Sequence, residues 1–307
     1  MLLTNWLKNL FRKPTKNRRN RRVLRARQHN WGRQSAVENL EDRTLLTFVS
    51  VLSGSDVAFQ GSSGDDSLSL REQDGTGLLE FSTDGINFTT DLGAGSSIAV
   101  AAITGLSING GNNQDTIDLS DLDGLVITAE VTGGHGHDHF ITGSADVDFL
   151  YSGTNNGSDS FSANGVGDSK IRVLSDNTVV GLASGFNNGV DEIDVADFNN
   201  VRVEGTTGDD VLDFSAVAFT NFNSSFQVYG HNNNDTITTS NISAGVRYQG
   251  GHGNDHFIIG DADATFIYSG TNNSSDSFTT SSTGLGKLVA LNDNTVIGLA
   301  SGFNDGV

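Results

Sequence analysis

Apolar and polar residues alternate with a period of two through most of residues 57–278, and the alternation breaks at one recurring kind of place. Eight aspartates mark the breaks: Asp66, Asp115, Asp138, Asp159, Asp210, Asp235, Asp255 and Asp276. Two residues after each stands a large apolar residue: Leu68, Ile117, Phe140, Phe161, Leu212, Ile237, Phe257 and Phe278. Five residues before each stands a glycine (Gly61, Gly110, Gly133, Gly205, Gly230, Gly250), or six before in Gly153 and Gly270. Two residues ahead of that glycine is again a β-type apolar residue: Phe59, Ile108, Val131, Tyr151, Val203, Val228, Tyr248 or Tyr268. Period two on both sides predicts strands with one face inward. The Gly/Asn/Asp stretch between them is turn chemistry, because Gly and Asn accept positive φ.

Where the motifs run consecutively they return about every 20–25 residues, the length of one rung of a coil whose rungs bury their faces by stacking. The pattern therefore predicts an all-β, right-handed parallel β-solenoid. An antiparallel sandwich is the alternative, but it gives no reason for one loop composition to recur in phase. The coil is also duplicated. Gly133–Phe161 and Gly250–Phe278 match at 22 of 29 positions, and Asp176–Val190 and Asp293–Val307 at 13 of 15, both at an offset of 117. This divides the chain into a segment 1–53, a solenoid unit 54–191 and a second unit 192–307. Unit one carries an extra segment near Arg71–Thr90, read as a hairpin turning at Asp84-Gly85. Val307 corresponds to Val190 of unit one, part-way through a rung, so an uncapped C-terminal edge open to end-to-end association is expected.

Charge sharpens the division. Residues 1–49 hold 12 of the 18 Lys/Arg and 3 of the 37 Asp/Glu. The remainder has 6 basic and 34 acidic residues, a net of −28. A body this acidic repels nucleic acid and attracts cations. The chain has no Cys, which excludes disulfides and thiolate metal sites. The basic stretch Arg12–Arg27 leads to a short apolar run, Thr44–Leu52, and then to Ser53-Gly54-Ser55, the order of an export signal. The run is too short to span a bilayer, and no other stretch approaches that length. Leu40-Glu41-Asp42-Arg43-Thr44-Leu45-Leu46-Thr47 resembles the L-E-P-R-x-L-L-S leader motif of planctomycete surface proteins, with Asp42 where that motif has Pro. The resemblance implies a secreted or cell-surface protein.

Gly133-Gly134-His135-Gly136-His137-Asp138-His139-Phe140 and Gly250-Gly251-His252-Gly253-Asn254-Asp255-His256-Phe257 fit the nonapeptide G-G-x-G-x-D-x-U. Gly64-Asp65-Asp66-Ser67-Leu68 and Gly208-Asp209-Asp210-Val211-Leu212 fit its second half. These segments resemble the RTX (hemolysin-type) calcium-binding β-roll repeats. The resemblance implies calcium held between stacked loops, a hard cation taking six to eight oxygens. Its ligands would be the side chains of Asp115, Asp138, Asp235 and Asp255 with carbonyls near Gly134, Gly136, Gly251 and Gly253. Asp66, Asp159, Asp210 and Asp276 are the secondary candidates. The chain departs from that family in two ways. The motif occurs once per rung rather than twice, and Asn replaces Gly in Gly110–Asp115 and Gly230–Asp235. A metal-free solenoid with Asn/Asp ladders between rungs is the competing reading.

His135, His137 and His139 alternate, and His252 and His256 repeat two of them, which raises a zinc site against the plainer reading of loop-surface histidines. Solenoids of this type also carry polysaccharide lyases and glycosidases. The body supplies only Arg71, Lys170, Arg172, Arg202, Arg247 and Lys287 as basic side chains, and Lys170/Lys287 lie in duplicated segments. No phosphate loop or nucleophile motif is present. The expectation is an extracellular calcium-binding structural or adhesive protein, not an enzyme, whose partners are other surface proteins or polysaccharide rather than nucleic acid. A β-helix polysaccharide-degrading enzyme is the alternative.

Overall fold

A computed structural model describes residues 48–152, 158–175, 179–182, 189–195, 201–221, 227–241, 246–268, 275–280 and 283–290. The leader with its Leu40–Thr47 motif, Gly153, Gly270 and the C-terminal stretch 291–307 lie outside them. The described residues form a parallel β-solenoid. No helix among them is long and apolar enough to cross a membrane.

The strands preceding each loop in unit one belong to an eight-stranded sheet. Asp56–Gln60 pairs in parallel with Gly105–Asn112, which pairs with Ala129–His135, and the sheet runs on through Val147–Tyr151, Ser169–Val173, Glu192–Asp194 and Ala218–Thr220. The strands following each Asp build the second wall: Ser67–Glu72, Thr116–Asp121, His139–Thr142 and Ser160–Ala163. Residues paired across rungs give the repeat length directly: Ile108 faces Val131, and Phe149 faces Ile171. The inward column Leu68, Ile117, Phe140, Phe161 is in register and fully buried, as is Leu212, Ile237, Phe257, Phe278 in unit two. Phe140 and Phe161 stack at 5.2 Å with Phe149 edge-on to Phe161, and Phe257, Phe278 and Phe266 repeat the trio.

The duplicated units do not stack as one continuous sheet: the eight-stranded sheet takes in only Glu192–Asp194 and Ala218–Thr220 of unit two. In unit two the pre-loop strands Gln227–Asn232, Arg247–His252 and Ala264–Tyr268 lie in a six-stranded sheet that starts at Val179–Gly181. That sheet connects to the post-Asp wall of unit one through the bridge between Asp159 and Leu182. The coil therefore shifts phase at the junction, where Glu192–Asp194, Arg202–Glu204 and Val211–Asp213 contribute to three different sheets in one turn.

At the N-terminal end of each wall the parallel rungs give way to an antiparallel strand. Val49–Ser53 covers one as an antiparallel strand, and Leu79–Ser82 covers the other. An open edge would present unpaired N–H and C=O groups for association, so these strands act as caps. The boundary expected at residue 53 thus falls inside a β-hairpin, at the turn between Val49–Ser53 and Asp56–Gln60. The expected hairpin near Arg71–Thr90 is present with two turns. One lies between Glu72 and Leu79, and the second, at Asp84-Gly85, brings Thr89 back beside Phe81. Asp84 Oδ1 accepts the N–H groups of Ile86 and Asn87 there, which holds its carboxyl below the ordinary range.

Candidate functional site

The eight motif aspartates point inward at the corner between the two walls, and each is buried. Together they form two spines. The backbone N–H of Asp66 donates to Asp115 Oδ1 at 2.9 Å, that of Asp115 to Asp138 Oδ1 at 3.0 Å, and that of Asp138 to Asp159 Oδ1 at 3.1 Å. In unit two Asp210, Asp235 and Asp255 donate in the same way to Asp235, Asp255 and Asp276, each at 3.0 Å. One carboxylate oxygen per rung thus satisfies the amide of the rung before it, at the corner where the chain leaves the sheet ladder.

The ends of each spine are closed differently. Ser62 offers its N–H (2.6 Å) and hydroxyl (2.8 Å) to Asp66 Oδ2, and Thr206 does the same for Asp210. At the far end the hydroxyls of Tyr151 and Tyr268 donate to Asp159 and Asp276. Register explains these caps. The sequence motif aligns Tyr151 with Val131, yet the structure pairs Phe149 with Val131 and Phe266 with Tyr248. Tyr151 and Tyr268 therefore stand two residues further along than their neighbours' counterparts and reach Asp159 and Asp276, in the two copies whose glycine stands six before the Asp. Tyr151→Phe and Tyr268→Phe remove a buried donor, and each is expected to cost about 1–2 kcal/mol in urea unfolding. A loss below a few tenths of a kcal/mol would show that the caps contribute nothing.

In the middle of each spine Oδ2 of Asp115, Asp138, Asp235 and Asp255 is buried with no hydrogen-bond partner. Burial pushes Asp115 up to about 7, Asp235 to about 8 and Asp255 to about 6, and raises Asp138. The accepted N–H opposes the shift, while neighbouring carboxylates add to it: Asp138, Asp66 and Asp65 around Asp115, and Asp255, Asp210 and Asp209 around Asp235. The free oxygens pack against the motif glycines. An alanine methyl at Gly110, Gly133, Gly230 or Gly250 would lie 2.5, 2.1, 2.2 or 2.0 Å from the Oδ2 of its own loop's Asp. The carbonyls of Gly133 and Gly250 lie 2.6 and 2.8 Å from the same points at Gly110 and Gly230.

A second ladder runs outside the first, with opposite polarity. Asp65 Oδ1 accepts the N–H of Gln114, and His137 Nδ1 that of Ser158. Asp209, Asn234 and Asn254 accept from Asn234, Asn254 and Ser275. His137 and Asn254, at equivalent positions, both supply the acceptor, so the two residue types exchange there. Asn in place of Gly is likewise no loss. The Asn113 and Asn233 side chains donate to Ser63 O and Thr207 O, and both residues hold φ of 71°. The next loop needs glycine because a methyl at Gly136 or Gly253 would sit 1.6 or 1.5 Å from Asn113 O or Asn233 O.

Calcium between loops would require six to eight oxygens around an open gap. As placed, Asp115, Asp138, Asp235 and Asp255 do not fit such a shell: their carboxylates face the interior, bound to backbone amides and packed on glycine. The loops themselves are in contact, since methyls at Gly134 and Gly251 would each fall 2.0 Å from the carbonyl oxygen of the loop before, at Gly111 and His231. Asp159, Asp210 and Asp276 are occupied as spine ends, whereas Asp66 accepts from Ser62 through Oδ2 and its buried Oδ1 has no partner. The histidines do not converge either. His139 and His256 each pair Nδ1 with a serine hydroxyl, of Ser160 and Ser277, at 2.7 Å. Among the described residues no three His, Cys, Asp or Glu are grouped to hold a metal. Acids do gather in an open pocket of about 390 Å³ lined by Glu72, Asp74, Glu80, Asp121 and Asp123, where Arg71 is tied to Glu80 at 2.7 Å and stacks on Phe88. No family model, curated protein or solved structure matches the chain.

Proposed function

We propose that the solenoid is a non-catalytic structural rod of an exported protein, and that its acid-rich loops serve the rod itself. The observation that carries this reading is the use of the chemistry-bearing residues. All eight motif aspartates are buried in backbone bonding, and the outer Asn, Asp and His positions form a second rung-to-rung ladder. The reading favours the metal-free alternative over calcium held by these loops. Calcium up to millimolar concentration is therefore expected to raise the melting temperature no more than magnesium at equal ionic strength. A saturable, calcium-specific rise followed by far-UV circular dichroism would overturn it and restore the β-roll mechanism.

Export rests on the basic leader and the motif at Leu40–Thr47. The cap at Val49–Ser53 adds a constraint. Cleavage near residue 53 would strip a paired edge strand and expose the sheet. Sequencing the protein from the cell surface is expected to give an N-terminus at or before Phe48. A start after Ser53 would contradict the capping role.

A further inference from the structure

Resting on the reading of the solenoid as an exported structural rod, we propose that its six-stranded sheet binds an extended anionic polysaccharide laid along the stacking axis. Arg202, Gln227, Arg247, Thr265 and Lys287 occupy one row, each paired with the next across successive rungs. Their chain neighbours Val203, Val228, Tyr248 and Phe266 are buried, so the row faces outward, and Arg202, Arg247 and Lys287 are exposed. The cations recur every second rung, about 10 Å apart at two strand spacings. Hydrogen-bonding Gln227 and Thr265 fill the intervening places.

These three are half of the basic residues in the body. The other three, Arg71, Lys170 and Arg172, are each neutralised by an acid, Glu80, Glu192 and Asp148. Among the described residues Arg247 and Lys287 make no ion pair. Arg202 is held in place by Glu204 (3.1 Å) and lies over the Tyr229 ring. The acids on the flanking rows are engaged: Glu204 also binds His231 Nε2 at 2.6 Å, and Asp263 accepts the Leu285 N–H. Two unneutralised cations in line, in a body of net charge −28, fit a ligand that brings regularly spaced anions.

The spacing selects the polymer. One charge about every 10 Å suits a chain with one acidic sugar per disaccharide. Nucleic acid, with a phosphate about every 3.4 Å of rise per strand, would bring surplus charge against the acidic body. Acids on the opposite wall, about 10 Å away, lie beyond the ~8 Å Debye length at physiological salt. At about 0.01 M salt that length grows to about 30 Å and the whole negative body is felt. Affinity should therefore peak at intermediate ionic strength.

The test is calorimetric titration of the protein as recovered from the cell surface, without the basic leader, with hyaluronan oligosaccharides, which carry one carboxylate per disaccharide, against neutral dextran and single-stranded DNA. Binding to hyaluronan at about 0.1 M salt is expected, weaker at 0.01 M and at 1 M. The Arg247→Gln/Lys287→Gln double variant should weaken it about two- to thirtyfold, as for two exposed charge contacts. Lys170→Gln/Arg172→Gln, on another sheet, should leave it unchanged. No binding at 0.1 M, indifference to the double variant, or tighter binding of DNA would overturn the proposal. Shortening of the polymer during incubation would instead overturn the non-catalytic reading while leaving the binding row intact.

Discussion

Gly133→Ala and Gly250→Ala are each expected to destabilise the solenoid by at least about 3 kcal/mol in urea unfolding. Neither glycine has a positive φ, so backbone strain is not the cause. The added methyl would lie 2.1 Å from Asp138 Oδ2 at Gly133, with Phe140 at 2.9 Å, and 2.0 Å from Asp255 Oδ2 at Gly250. Nothing there can yield cheaply. The carboxyl group is pinned by the amide of the preceding rung, and the phenyl ring is stacked between neighbours. Gly75→Ala and Gly85→Ala are the matched controls. Their φ values are 78° and 69° with open space around them, so only the left-handed backbone costs, about 1 kcal/mol. Coupling tests the mechanism. Shortening the acid by Asp138→Ser should recover part of the Gly133→Ala loss, so that the double variant is more stable than the sum of the singles. Additive losses would show that the methyl clashes with something else.

The Gly-to-Asp spacing was legible in the sequence, and so was the fold that it builds. Alternation around Phe59 and Leu68, or Val131 and Phe140, specifies two inward strands per rung, and the structure places those residues in the core. The direction of the aspartates was not legible. A side chain at a loop end can face the loop or the corner behind it, and composition is the same for both. The signal that could have decided was the glycine five residues earlier. It stands at an ordinary φ, so its role is to clear space for the carboxyl group rather than to turn the chain. The two-residue advance of Tyr151 and Tyr268 was visible only as an extra loop residue. The phase shift at the junction was hidden because the duplicated segments are nearly identical while the sheets they join are not.

Lowering the pH from 8 to 5 is expected to stabilise the protein, the reverse of ordinary acid denaturation over this range. Burial pushes the carboxyl groups of Asp115, Asp235 and Asp255 up to about 7, 8 and 6, against about 3.9 for an ordinary aspartate. A group raised on folding gives its full contribution below the unfolded value and loses it as pH climbs through the folded one. Between about 4 and 8 the folded chain therefore holds protons that the unfolded chain has released. Stability then falls by about 1.4 kcal/mol per pH unit for each such proton. Geometry gives the proton its reason. Oδ2 of Asp115 and Asp235 is packed against glycine with no donor, a costly place for charge. The acidic surface pushes in the same direction, so substitution must separate the two. Asp115→Asn/Asp235→Asn keeps an acceptor for the amides of Asp66 and Asp210 and puts a permanent N–H where the proton would be. The variant should match the parent at pH 5, exceed it at pH 8, and show a flatter slope between them. An unchanged slope would assign the pH effect to the surface and leave the spine ionised.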